Sequence, residues 1–356
     1  MPVEDRYVRL VEGRSAGVLA SAARGLLRAA TPAWRLGLAI DQQRKRRGRR
    51  PLGRPTASIG NLSVGGTGKT PAVAWAVRRL LDAGHRPAVL TRGHGGDAQR
   101  PADEVLELRG MLRDAAPVIA DPDRHAAAAA ALAASPGLTC FVLDDGFQRL
   151  DVARDLDLVL VDASRTLASA RLLPGGLLRE PPAALTRADA VLLTRVDRAG
   201  PAATGETAAW VTRWHGRPPL ASFAHRWSGV DAYPPAGAAP AIAGRRLYAA
   251  AGIGHPRAFA EQLAAAGAEV VGAARLADHH RPTAGGLARL HADARAAGAD
   301  AVATTEKDRV KWAMLDPGPD ALPVLVPRLR FEPVAGEAAL LALLRERLPR
   351  PVDRPA

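Results

Sequence analysis

The run Ile59-Gly-Asn-Leu-Ser-Val-Gly-Gly-Thr-Gly-Lys-Thr70 holds the residue types that grip a polyphosphate. Glycines 65, 66 and 68 let the backbone N–H groups of Ser63, Val64, Gly65, Gly66, Thr67 and Gly68 close around phosphate oxygens. The Lys69 ammonium would reach the β- and γ-phosphates, and the Thr70 hydroxyl suits a Mg²⁺ ion. The strict pattern opens on Gly, and Ser63 stands there instead. The G-x-G-K-T core still lies between a strand-like run and a helix-like one, the context that anion binding requires. The alternative is a Gly-rich turn that ends in Lys-Thr by coincidence.

A metal-holding carboxylate belongs at the end of a neighbouring strand. Phe141-Val-Leu-Asp-Asp145, followed by Gly146-Phe147-Gln148, supplies two. An apolar strand ending in acid can hold Mg²⁺ directly or through water. Side chains alternate along a strand, so of Asp144 and Asp145 one can face the metal while the other orients a loop. These features imply nucleotide hydrolysis or phosphoryl transfer and leave the acceptor open.

The elements that must position these groups follow from hydrophobic patterning. Strands are predicted at Thr56–Leu62, Ala88–Thr91, Thr139–Leu143, Leu158–Val161, Ala190–Leu193, Leu247–Ala251, Glu269–Gly272, Asp300–Thr304 and Val324–Val326. Helices are predicted at 69–82, 123–134, 256–266, 284–297 and 336–347. This alternation predicts an α/β fold with parallel sheets covered on both faces. Near the start, Ser15 reads as the cap of a first helix, and Thr31-Pro32 as N-cap and first residue of a second. Tyr233-Pro-Pro-Ala-Gly-Ala-Ala-Pro240 reads as a linker. The expected division is an N-terminal helical segment with a basic linker at 1–55, a phosphate-loop domain at 56–232 and a smaller α/β domain at 233–356.

The 356 residues carry 49 Lys and Arg against 36 Asp and Glu, a formal charge of +13. That balance points to an anionic partner: nucleic acid, an acidic membrane surface or a phosphorylated substrate. A single cysteine, Cys140, excludes an internal disulfide framework, and its apolar setting reads as a buried structural thiol. No stretch reaches the roughly 18 apolar residues of a spanning helix. Residues 15–40 carry Val18, Leu19, Leu26, Leu27, Trp34, Leu36, Leu38 and Ile40, and the basic cluster Arg44 to Arg50 follows. Such a segment suits the interface of an anionic bilayer, and it equally suits a helix packed on its own domain before a solvated linker. The cluster lacks the aromatic interleaving of a nucleic-acid surface, so no nucleic-acid partner is expected.

In this order along most of the chain the motifs resemble one family, the tetraacyldisaccharide 4′-kinases, the lipid A 4′-kinases of Gram-negative bacteria. The blocks are the N-terminal apolar and basic segment, Ser58–Pro71, Thr91-Arg-Gly-His-Gly-Gly96, Ala102-Asp-Glu104 and Leu143-Asp-Asp-Gly-Phe-Gln148. Next come Asp155–Asp162, Leu173–Pro181, Ala251–Gly254, Ala277-Asp-His-His280 and Thr304-Thr-Glu-Lys-Asp308. The sequence departs from the family at His94, Val105, Arg149-Leu150-Asp151 and His255.

The resemblance implies transfer of the ATP γ-phosphoryl group to the 4′-hydroxyl of a tetraacyldisaccharide 1-phosphate, with Mg²⁺, peripherally at the cytoplasmic face of the inner membrane. It implies a smaller domain closing the active site. It makes Asp103 the base and His279 its orienting partner, with Lys69 the third catalytic group. It adds Glu104 to Thr70, Asp144 and Asp145 as metal candidates, and gives Arg92, Gln148, Arg179 and Glu180 to substrate or closure. By residue type alone, Asp103-Glu104 reads as a solvated acidic turn, and His279-His280 as a surface pair or structural metal site. The runner-up is a P-loop GTPase or metallochaperone, because Thr194-Arg-Val-Asp197 and Thr305-Glu-Lys-Asp308 faintly resemble the N-K-x-D guanine reader.

Overall fold

A computed structural model describes residues 3–93, 102–165, 170–233, 241–253, 256–276, 282–312, 315–316 and 318–349. The chain divides into two compact units, one of Val3–His225 with the chain from Phe331 onward, the other of Arg226–Arg330.

The first unit is built on a sheet ordered β3-β2-β4-β1-β5-β6-β7. Its strands are β1 (Thr56–Asn61), β2 (Pro87–Thr91), β3 (Val118–Ala120), β4 (Cys140–Asp144), β5 (Leu156–Asp162), β6 (Ala190–Thr194) and the start of β7 (Ala221–Tyr233). All these pairings are parallel. Parallel strands need crossovers, and helices supply them on both faces. On one face Ile59, Val142 and Leu158 pack under α3 (Lys69–Asp82), α4 (Asp103–Leu112) and α10 (Glu337–Arg347). On the other, Leu90, Phe141 and Leu143 meet α5 (Arg124–Ala134). Val159, Val191 and Leu193 meet the 3₁₀ turn Pro182–Arg187 and α6 (Val196–His215). The alternation of Phe141, Val142 and Leu143 between faces is the strand period of two.

In α3, Val73, Ala76, Val77 and Leu80 are buried at helical spacing. Pro71 stands in its first turn, where N–H groups have no partner to lose. The chain reverses after β4 because Asp145 adopts φ 55°, and Gly146 then passes against Ser58 and Leu143 with no room for a Cβ.

The N-terminal segment departs from the prediction of two helices. After α1 (Val3–Val11), one helix, α2, runs from Val18 to Arg47 with Pro32 inside it. Gly17 stands at its start without a side-chain cap, so Ser15 is not the cap. Pro32 removes one N–H but does not end the helix; Thr31 Oγ1 turns back to Leu27 O at 3.3 Å, and Gly175 packs against Arg28 and Thr31. No residue of α2 is buried. Helices α4 and α6, the later helix Glu306–Trp312, and strands β3 and β7 are further elements that the patterning missed.

The second unit orders its strands β7-β11-β10-β8-β9, with β8 (Arg246–Ala251), β9 (Glu269–Arg275), β10 (Ala301–Thr304) and β11 (Val324–Ala335). Leu247, Phe259, Leu263 and Leu325 form one face of its core, with α7 (Pro256–Ala265) and Trp227. Leu287, Leu290 and Trp312 of α8 (Ala284–Ala296) and α9 (Glu306–Trp312) form the other. Asp308 ties two motif blocks together, accepting from Gly252 N at 2.9 Å and Thr305 Oγ1 at 2.7 Å.

Leu158 is almost wholly buried at the centre of the first sheet. Leu158→Ala is expected to cost about 2–5 kcal/mol, read as a lower urea midpoint with an unchanged slope.

Candidate active site around the phosphate loop

The loop Ser63–Thr70 springs from the end of β1 and turns into α3 through Gly68, which holds φ 85°. Its carbonyls are engaged from outside. Arg165 Nη1 donates to Val64 O at 2.9 Å, Arg195 Nη1 to Gly66 O at 2.7 Å, and Thr194 Oγ1 to Thr67 O at 2.9 Å. Asn61 Nδ2 donates to Thr67 Oγ1 at 2.7 Å. Val64 N, expected in the phosphate cradle, is instead spent on Leu177 O at 2.8 Å, so the anion is left to the later amides of the loop. Arg165 and Arg195 are in turn fixed by Asp162 at the end of β5. Burial alone would push Asp162 up; Arg195, the Ser164 hydroxyl and Arg165 outweigh it and hold it below the usual carboxylate range.

His225 closes the loop from behind. Its ring lies where a Cβ on Gly68 would sit, only 5% of the residue is exposed, and Nε2 has no partner. Burial, then Arg195 and Arg198, lower its pKa to about 3. Asp197 Oδ1 accepts from His225 N at 2.9 Å.

The two carboxylates at the end of β4 differ sharply. Asp144 is buried; Thr91 Oγ1 lies 3.4 Å from Oδ2, and Oδ1 has no partner. Burial first, then neighbouring Glu104, push it up to about 7, with Lys69 opposing. Asp145 is half-buried, and the loss of solvent alone would raise it. Lys69 Nζ at 3.6 Å and Arg179 Nη1 at 2.6 Å outweigh that and hold it below the usual range. Neighbouring acids with separated proton affinities can take separate roles.

A magnesium ion fits this donor set. Asp144 offers an unpaired buried oxygen, Glu104 adds negative charge beside it, and Thr70 lies half-buried at the start of α3. Among the described residues no group of three or more His, Cys, Asp or Glu forms a chelating cage. Magnesium needs only one or two carboxylates beside substrate phosphates and water.

Gln148 and Glu180 lie behind Arg179. Gln148 Nε2 donates to Asn61 O and to Glu180 Oε1, both at 3.0 Å. Glu180 is completely buried, pairs with Arg187 at 2.9 Å and accepts a hydrogen bond from Gln42 of α2. Arg187 in turn stacks on Phe147 at 4.5 Å. Arg92 is exposed just past β2. Asp103 and Glu104 form the first turn of α4, where the helix dipole favours negative charge. His279, with the rest of 277–281, lies outside the described residues, as do His94 and His255. Cys140 is buried as expected, its pKa raised to about 11 by burial.

Sequence reasoning missed Thr194, Arg195, Arg165 and His225. The Thr194–Asp197 run was visible as a weak guanine-reader pattern, and its role here is to hold the loop carbonyls and the His225 amide. Nothing in the sequence marks His225, because β7 is interleaved with polar residues.

The chain from 25 to 349 matches the model of the tetraacyldisaccharide-1-P 4′-kinase family. It is 42% identical over 281 residues to a tetraacyldisaccharide 4′-kinase of Anaeromyxobacter dehalogenans strain 2CP-C, covering 74% of this chain and 73% of that one. It is 40% identical over 325 residues to one from Anaeromyxobacter sp. strain K, covering 85% of each. A crystal structure of LpxK from Aquifex aeolicus in complex with ATP superposes with a TM-score of 0.70 at 24% identity, covering 92% of this chain and 99% of that one.

His225 is neutral when folded, whereas an unfolded histidine titrates near 6.5, so its contribution is complete above pH 6.5 and is lost as pH falls below that value. Relative to pH 7.5, the wild type is expected to lose about 2 kcal/mol at pH 5 through this one group. His225→Phe removes that part of the loss, and urea denaturation at the two pH values measures it.

Proposed function

The chain belongs to the tetraacyldisaccharide-1-P 4′-kinase family, and from that membership we propose how its own residues carry the reaction. The protein is an ATP-dependent phosphotransferase with an alcohol acceptor, forming the 4′-phosphate of a lipid A precursor. The acceptor is a tetraacyldisaccharide 1-phosphate. Its 4′-oxygen bonds to the γ-phosphorus, the bond to the β-bridging oxygen breaks, and ADP leaves with that electron pair.

Lys69 and the loop amides neutralise the triphosphate. Arg179, steered by Asp145 and by Gln148 over Glu180, is the second cation for the transferred group. When bound, Mg²⁺ supplies charge neutralisation across the phosphates, and Asp144, with Thr70 and Glu104, is the set that would hold it. A sugar hydroxyl is a weak nucleophile at neutral pH and needs a base within hydrogen-bond reach. Asp103 takes that proton, and His279 orients it. Arg92 serves substrate binding or closure of the smaller domain. The observation that carries this reading is the Lys69–Asp145–Arg179 contact next to an unpaired Asp144 oxygen.

The lipid acceptor stays in a bilayer, so the enzyme must come to it. Among the described residues no helix is long and apolar enough to cross a membrane. The exposed Val18, Leu19, Leu26, Trp34, Leu36 and Ile40 of α2 fall on one side of that helix, and Arg44, Arg46 and Arg47 crowd its last turn. This is the make-up of an interfacial helix on an anionic leaflet. We therefore assign the protein peripherally to the cytoplasmic face of the inner membrane.

Radiolabelled ATP with the disaccharide lipid, resolved by thin-layer chromatography, tests the reaction. Lys69→Ala and Asp103→Asn are each expected to lower the transfer rate by about 10²-fold or more with an unchanged melting temperature. Near-wild-type turnover of either removes that role, and GTP-selective hydrolysis without a lipid product would overturn the whole reading. Leu26→Glu with Leu36→Glu is expected to weaken partitioning onto phosphatidylglycerol vesicles by about tenfold or more. The KM for lipid should rise with it, and the KM for ATP should stay unchanged.

A further inference from the structure

A pocket of about 440 Å³ opens in the first unit at the starts of β5 and β6, the strand ends opposite to the phosphate loop. Its size lies in the usual range of small-molecule sites. Five arginines line it: Arg46, Arg49, Arg154, Arg187 and Arg347. Three aspartates line it too, and each already has a partner; Asp189 pairs with Arg347 at 3.4 Å. Asp155 accepts from Thr56 N at 2.7 Å and Asp189 from Asp157 N at 2.8 Å, while Asp157 pairs with Arg154 at 2.8 Å.

Arg154, Arg187 and Arg347 are thus matched by Asp157, Glu180 and Asp189, and the excess of cations lies with Arg46 and Arg49. Among the described residues neither Arg46 nor Arg49 forms an ion pair. The last turn of α2 carries four cations, Arg44, Lys45, Arg46 and Arg47, of which Lys45 alone pairs, with Asp41. That exceeds what the helix C-terminal carbonyls would balance. Arg154, only 6% exposed in its side chain, is held below its ordinary proton affinity by burial, and Arg187 and Arg49 add to this against Asp157. Guanidinium groups gathered around one pocket repel, and an anion among them relieves the repulsion. Planar guanidinium forks are the donors that match phosphate oxygens.

We propose that this pocket is a second phosphate-binding site, separate from the phosphate loop, that takes a phosphate group either free in solution or on a lipid headgroup. The site needs no assumption about which hydroxyl the enzyme phosphorylates.

The test uses the full-length protein with its nucleotide site saturated by a non-hydrolysable ATP analogue. Inorganic phosphate is then titrated and thermal unfolding followed. Two charge-matched variants are compared: Arg46→Ala with Arg49→Ala inside the pocket, and Arg44→Ala with Arg47→Ala outside it. The expected result is a saturable rise in melting temperature for the wild type and for the outside variant. The pocket variant should lose about fivefold or more in phosphate affinity while keeping its nucleotide affinity. Equal losses in the two variants, or no phosphate-dependent rise in the wild type, would overturn the proposal.

Phosphatidic acid vesicles identify the source. Vesicle binding that millimolar phosphate displaces from the wild type, but not from the pocket variant, assigns the headgroup. Phosphate binding that the vesicles leave unchanged assigns the free anion.

Discussion

Two adjacent carboxylates, one buried and one half-buried, share a corner at the end of β4, and the rest of the site follows from the fact that both cannot be charged there without help. Asp145 stays ionised because Lys69 and Arg179 converge on it. Asp144 lacks such a partner and, with Glu104 nearby, is pushed toward neutrality. The corner is thus one positive charge short. A divalent cation would supply that charge, and it would in turn neutralise part of an incoming triphosphate. Asp145, at φ 55°, also turns the chain out of the strand toward Gly146.

The phosphate loop is rigid for a related reason. Its backbone is fixed at three carbonyls by Arg165, Arg195 and Thr194, and the Thr67 hydroxyl by Asn61. Each of those groups sits at the end of β1, β5 or β6, so the parallel sheet sets the shape of the loop. Gly68 and His225 complete it. A side chain at 68 would need the space of the imidazole, and a charged imidazole would sit against Arg195 and Arg198. The ring is therefore neutral and serves as a wall.

Much of this was readable in the residues. The glycine spacing and Lys69-Thr70 announced the loop, and the buried run Cys140–Leu143 ending in two acids announced the carboxylate corner. Helix α3 was legible because a long apolar run follows directly on the phosphate loop. Other parts were hidden for physical reasons. Strand β7 carries Ser222, His225, Arg226, Ser228 and Asp231 among its apolar residues, so no alternation stands out. Helix α4 begins with two acids that read as a solvated turn, although the first turn of a helix is where acids are favoured. Proline 32 argued for two helices, but loss of one N–H in an exposed helix is tolerated when Thr31 and the Gly175 loop hold the site. The loop ties through Thr194 and Arg195 connect residues more than 120 apart in sequence, beyond any local pattern.

Glu180 shows how the exposed helix and the chemistry are joined. It is wholly buried, and a buried ion pair stabilises a fold weakly at best, because desolvation consumes the attraction. Its worth lies in specifying geometry. One carboxylate takes Gln148, which also holds Asn61 O beneath the phosphate loop, and takes Arg187, which stacks on Phe147. It also takes Gln42, four turns along α2 from Leu26, which ties the polar end of that helix to the same anchor. Helix α2 has no buried residue to fix its rotation. A polar clamp at Gln42, with Tyr7 of α1 bonded to Pro174 O and Gly176 O, sets which side of α2 faces outward. The apolar stripe thus gains a fixed direction without a hydrophobic core beneath it, which leaves that stripe available to a lipid surface.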